Sequence, residues 1–212
     1  MKYSRRNFLK AAGSSGAAAL TTVGAGVTGV GGAVAEAQTR TPSPLAVPAP
    51  MTKETGSFTI NGKPYRAEYE ARTTLWEVVH VKLGLTGTNR SCNRASCGAC
   101  SVLIEGTPFY SCHTLATEAT GKKIFTVEGL GDEKNLHPLQ RVGYLYMAAD
   151  CGYCTAGWEV TAKGLLDKNP NPTVEQVKAE LAGHICRCAA YAAIVRTVVD
   201  TGKVLRGEAE IV

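Results

Sequence analysis

Residues 91–101 read Ser91-Cys92-Asn93-Arg94-Ala95-Ser96-Cys97-Gly98-Ala99-Cys100-Ser101, and Cys112 follows as a further sulfur. Three cysteines thus stand as C-x4-C-x2-C with a distant fourth. A second group lies downstream, Cys151 and Cys154 as C-x2-C, then Cys186 and Cys188 as C-x-C. Together the two groups use all 8 cysteines of the 212-residue chain.

The first spacing is the plant-type arrangement of four thiolates about a 2Fe–2S cluster. Short spacings bring two sulfurs together from one turn of chain, and the others arrive from elsewhere in the fold. Ser96, Gly98, Ala99 and Ser101 are small, so the backbone can pass close and aim N–H groups at the cluster sulfurs. Arg90 and Arg94 either add positive charge beside an anionic site or are solvated loop charges. In the second group Cys154 opens a predicted helix, whose N-terminal partial charge favours an anion. Taken alone, that group suits zinc as well as iron–sulfur, because C-x2-C is also a zinc pair. The histidines do not complete a two-His, two-Cys centre: His113 and His184 read as loop residues, His80 and His137 as surface or cap positions. Trp76 and Trp158, at helical positions, read as core.

Working outward, Ser57–Ile60 and Lys63–Tyr69 are strand candidates joined by Asn61-Gly62, a two-residue hairpin signal. Thr74 to Glu77 forms a capping box ahead of a helix with Leu75, Val78, Val79 and Leu83 on one face, ended by Gly84. After the first cysteine loop come strands over Ser101–Glu105 and Lys123–Val127. Beyond Leu130-Gly131 the apolar period changes from two to about 3.6. Four helices are predicted: from Pro138 to Ala149, from the Cys151–Cys154 turn to Lys168, from a second capping box at Thr173, and one carrying Tyr191, Ile194, Val195, Val198 and Val199 with Gly202 just past its end. The fold class is α+β, a small sheet domain followed by an all-α four-helix bundle.

The N-terminus is an address. Arg5-Arg6 precede an uncharged, glycine-rich stretch from Ala11 to Ala35 with small-residue cleavage patterns near Ala37, which resembles a twin-arginine export signal. A route that exports proteins already folded suits a cluster loaded in the reducing cytoplasm better than disulfides do. The divisions are 1–37 signal, 38–55 a linker carrying Pro42, Pro44, Pro48 and Pro50, 56–130 sheet domain and 131–212 helical domain. The formal charge is +5, from 23 basic and 18 acidic residues. Lys2, Arg5, Arg6 and Lys10, and one acid, Glu36, lie in the signal, so nothing beyond it forms a nucleic-acid footprint. Membrane contact is expected only through the signal. Hydrophobic content of 44% is enough for a core. No nucleophile elbow, zinc-protease motif or phosphate loop is present.

With both cysteine groups in place, the sequence resembles the small iron–sulfur subunits of the xanthine dehydrogenase family of molybdenum hydroxylases, especially those of bacterial periplasmic aldehyde oxidoreductases. The residues carrying this are Cys92 to Cys100 with Gly98-Ala99, Ser111-Cys112, Leu136 to Gln140, Cys151 to Thr155, and Cys186-Arg187-Cys188 followed by Tyr191. The resemblance implies a ferredoxin-like β-grasp domain and a helical domain, each holding one 2Fe–2S cluster, with Cys92, Cys97, Cys100, Cys112, Cys151, Cys154, Cys186 and Cys188 as ligands. It also implies a large partner subunit with a molybdopterin cofactor that oxidises or hydroxylates an aldehyde or heterocycle, and electrons passing to FAD on another subunit or to a cytochrome. This chain would contain no catalytic residue. Three positions depart from the family pattern: Asp150 where a glutamine contacts the pterin, Ala156 where proline follows Cys-Thr, and His184 where asparagine is frequent. The alternatives are a zinc- or disulfide-stabilised exported binding module and a free-standing ferredoxin.

Overall fold

The computed structural model describes residues 52–210. The signal and most of the predicted linker lie outside them.

Strands β1 (Lys53–Ile60) and β2 (Lys63–Glu70) pair antiparallel in the register Ile60↔Lys63. Asn61 and Gly62 between them take φ 51° and 76°, as a type I′ turn requires. Asn61 does more than turn: its side chain accepts from Thr126 N–H and donates to Thr126 Oγ1, both at 2.9 Å. The hairpin is thereby tied to the chain leaving the last strand. β1 begins at Lys53, inside the stretch read as linker, because backbone pairing continues past the apolar pattern to Glu70.

The Thr74–Glu77 capping box forms: Thr74 N–H donates to Glu77 at 2.8 Å and Glu77 N–H to Thr74 at 3.3 Å. The helix it starts, α1 (Glu77–Lys82), is wound as a π-helix where α was expected. Three valines in six residues crowd a tighter turn, in keeping with the wider winding. Gly84, at φ 73°, ends it as expected.

β3 (Ser101–Ile104), β4 (Thr107–Tyr110), the one-turn helix α2 (Ala116–Ala119) and β5 (Lys123–Phe125) complete a sheet ordered β2-β1-β5-β3-β4. β1 and β5 run parallel and the other pairs antiparallel. The last strand stops two residues short of the predicted Val127, where a 3₁₀ turn begins. β4 and α2 were not anticipated. β4 carries Pro108, which lacks a ladder donor and is tolerated at an edge; α2 is too short for periodicity to register. Phe58, Ile60, Tyr69, Val102 and Ile124 meet Leu75, Val78 and Val79 in one core.

The second half is α3 (Pro138–Leu145), α4 (Thr155–Lys168), α5 (Val174–Glu180) and α6 (Tyr191–Leu205). Their core holds Leu139, Trp158, Ala162, Leu166, Val177, Ile194 and Val198. Two boundaries are corrected. α3 ends four residues before Ala149, because the chain turns through Met147 at φ 51° to reach Cys151. Gly202 lies inside α6, where a Cβ would stand 2.6 Å from Pro170 O; it marks a close approach, not a cap.

All four β3 residues are buried, because α4 packs on the sheet face that the first core leaves open. Gly164 makes room for Leu103, and Gly157 lies against the carbonyl of Gly98. The two halves therefore meet along α4 and β3. Among the described residues no helix is long and apolar enough to cross a membrane.

Candidate metal centres

The first cysteine loop reverses direction repeatedly. Asn93, Ala95 and Gly98 take φ 52°, 54° and 74°, and these reversals wrap the chain around Cys92. Ser96 N–H donates to Cys92 Sγ at 3.4 Å. Burial raises the Cys92 thiol, but the N–H groups of Arg94, Ser96 and Cys97 and the Cys97 thiol outweigh it and hold the group at about 7. The other pair is deeper. Burial pushes Cys100 up to about 12 with the Cys112 thiol beside it. Ser111 Oγ donates to Cys100 O at 2.7 Å and Ser101 Oγ to Gly98 O at 2.8 Å, pinning the loop to its flanks.

The second group repeats the arrangement with different parts. Cys154 is the residue before α4, as anticipated. Burial pushes it up to about 12, and the Cys186 thiol adds to this. Cys151 is exposed and pairs with Cys188; the Tyr153 amide chiefly, then the Cys188 thiol, draw it below the ordinary thiol range. Cys186 N–H donates to Tyr191 Oη at 2.9 Å, so the first residue of α6 fixes the C-x-C turn.

Each group is thus an outer and an inner pair of sulfurs. All eight cysteines are thiols. Among the described residues no three His, Cys, Asp or Glu side chains converge on one point as a mononuclear ion would need. Two thiolates to each metal, two metals together, is the donor set of a 2Fe–2S cluster. A zinc site would gather four ligands on one ion. Amides aimed at the outer sulfurs and buried inner thiols that ionise only beside a cation fit the same group.

Three hydrogen bonds join the two groups. Ile185 N–H donates to Cys97 O at 3.0 Å, placing a ligand candidate of one group one residue from a ligand candidate of the other. Tyr153 Oη donates to Arg90 O at 2.8 Å, and Asn89 Nδ2 to Tyr153 O at 2.9 Å. Beside them His184 is wedged against Gly98, where a Cβ would lie 2.7 Å from its ring. Its Nε2 is 3.2 Å from both Ser101 Oγ and Thr161 Oγ1. Burial lowers its pKa, which favours the neutral ring.

Trp76 covers Cys100 and Cys112 and donates from Nε1 to Thr88 O at 2.8 Å. Arg90 lies 3.7 Å above its ring, and His80 stacks at 4.5 Å. Arg90 and His80 are therefore structural, whereas the Arg94 side chain is exposed. His137 caps α3, its Nδ1 accepting from Leu139 N–H at 3.1 Å. The seam contacts of Gly157, His184 and Ile185 left no local signal in the sequence.

Known proteins carry the same two units. Residues 58–125 match the family described as "2Fe-2S iron-sulfur cluster binding domain" and residues 126–199 that described as "[2Fe-2S] binding domain". Residues 2–22 match the twin-arginine translocation pathway signal sequence. The chain is 38% identical to the nicotine 6-hydroxylase small subunit of Paenarthrobacter nicotinovorans, over 74% of this chain and 94% of that one. It is 40% identical to the aldehyde oxidoreductase of Megalodesulfovibrio gigas, over 71% of this chain but only 17% of that longer protein. The crystal structure of quinoline 2-oxidoreductase from Pseudomonas putida 86 contains a chain matched with a TM-score of 0.69 at 39% identity, covering 74% of this chain and 99% of that one. With two 2Fe–2S units in this order on one body, the chain belongs to the small iron–sulfur subunits of the xanthine dehydrogenase family of molybdenum hydroxylases.

Proposed function

We propose that the chain is the electron-transfer subunit of an exported molybdenum hydroxylase. It relays electrons from a molybdopterin cofactor in a large partner subunit to FAD on another subunit or to a cytochrome. The substrate class is an aldehyde or an N-heterocycle, and the destination is the periplasm, reached folded by the twin-arginine route. The observation that carries this reading is the pairing of the eight thiols two and two in adjoining groups, bridged by the Ile185–Cys97 hydrogen bond.

Bound in these groups, 2Fe–2S clusters supply one-electron reduction and oxidation. Cys92, Cys97, Cys100 and Cys112 would hold one and Cys151, Cys154, Cys186 and Cys188 the other. The chain's own residues set the conditions. The Ser96 and Tyr153 amides favour the anionic form of the outer sulfurs, and Trp76 excludes water from Cys100 and Cys112. Ile185 and His184 fix the spacing of the two groups across the seam. No residue here acts on substrate.

A tagged full-length chain recovered from the periplasm tests the reading. A molybdenum-containing large subunit should co-purify, and the visible iron–sulfur absorption should bleach when an aldehyde or N-heterocycle is added anaerobically. Recovery of the chain alone as a colourless or zinc-containing protein rejects it.

A further inference from the structure

Among the buried residues of helix α4 is one acid. Glu159, between Trp158 and Val160, is 6% exposed. Nothing among the described residues donates to it or pairs with it, and burial alone acts on its proton, pushing the carboxyl up to about 7. An ionised carboxylate withdrawn from water without a partner is costly and is ordinarily paired. The missing partner has room to enter. Glu159 lines an open cavity of about 550 Å³ shared with Gln140, Tyr144, Met147, Asp150 and Cys188. Asp150 is a second carboxylate on that wall, and no basic residue lines the cavity. On its rim Tyr144 and Met147 are 83% and 81% exposed, more than any other large apolar side chain described.

We propose that this cavity receives an arginine or lysine side chain of the molybdenum-bearing partner subunit, which pairs with Glu159 while apolar partner surface covers Tyr144 and Met147. Three observations converge on it: an unpaired buried acid, an all-acidic charge lining, and an exposed apolar rim, as in interfaces whose centre is desolvated and whose rim excludes water. The assignment places an obligatory contact beside Cys188, so that docking and the second metal group share a wall. It rests on the proposed membership of a molybdenum hydroxylase complex.

The co-expressed complex supplies the test, with subunit dissociation constants measured at low and high salt. Glu159→Gln keeps the shape and removes the charge. Truncating one side of a buried charge pair weakens association by about 30-fold or more. Visible spectra verify that each variant retains its clusters. Should E159Q lose them, Tyr144→Ala, at a surface position outside both cores, decides the matter by weakening association or leaving it unchanged. Unchanged affinity in E159Q, or in Y144A where E159Q cannot be loaded, overturns the proposal and leaves the functional reading intact. Magnesium binding by the free chain that E159Q abolishes overturns it as well, by identifying a different occupant. A wild-type chain that never associates with a molybdenum-containing subunit removes both.

Discussion

The two metal groups reach the same arrangement of sulfurs by opposite routes. The first draws three thiols from one nine-residue loop whose shape is set by local backbone reversals, with Cys112 added from the end of the neighbouring hairpin. The second draws its thiols from the start of α4 and the start of α6, segments that meet only because the helices pack around Trp158, Val177 and Val198. A locally built site should tolerate loosening of the surrounding core. A site assembled by packing should not.

The sharpest way to break this comparison is Trp158→Ala. Trp158 is fully buried in the helical core beside Cys154, and such truncations cost about 3–5 kcal/mol. The second cluster should be lost on mild heating while the first survives, read as selective loss of one paramagnetic signal. Equal loss of both would mean that the two groups fold as one unit.

Glu159→Gln should have the next largest effect on the isolated chain, in the opposite direction. The folded carboxyl sits at about 7, above its ordinary value of 4.5. The fold therefore favours its protonated form, and that contribution is complete below about 4.5 and lost as pH rises through 7. At pH 8 the variant should be more stable than wild type by about 3 kcal/mol, with the gap closing toward pH 4. Urea midpoints across that range test it. A residue that destabilises the free subunit and strengthens the complex is what the cavity proposal requires.

Gly157→Ala probes the seam shared by both groups. Its Cβ would enter the carbonyl of Gly98, which is backbone and cannot turn aside. Overpacking of this kind costs about 1–3 kcal/mol, and here it should broaden both cluster signals together. Ala95→Gly is the smallest change. Ala95 holds φ 54°, a conformation that costs a Cβ-bearing residue about 1–2 kcal/mol, partly offset by the entropy glycine loses on folding. The variant should gain about 0.5 kcal/mol in the first group only, seen as slower release of its iron to a chelator.

The same contrast explains what could be read before the structure. Asn61-Gly62, the Thr74–Glu77 and Thr173–Gln176 boxes and the cap before Pro138 act within a few residues, and each formed as expected. The C-x4-C-x2-C loop is local too, and the kind of domain its spacing points to is the one that residues 58–125 match. β4 escaped because Pro108 suppresses the strand pattern, and Gly202 was misplaced because its neighbour, Pro170, is remote in sequence. Glu159 gave no cue for the same reason, and His184 stood out only as a departure from asparagine. A histidine in a loop and a glutamate in a helix become informative only when Gly98, Ser101 and an empty wall of side chains are brought against them.

Electron paramagnetic resonance of the dithionite-reduced full-length chain tests the central claim most directly. Two adjoining 2Fe–2S groups on one body predict two distinguishable signals that broaden one another when both are reduced. A single signal, or a colourless protein containing zinc, would contradict it.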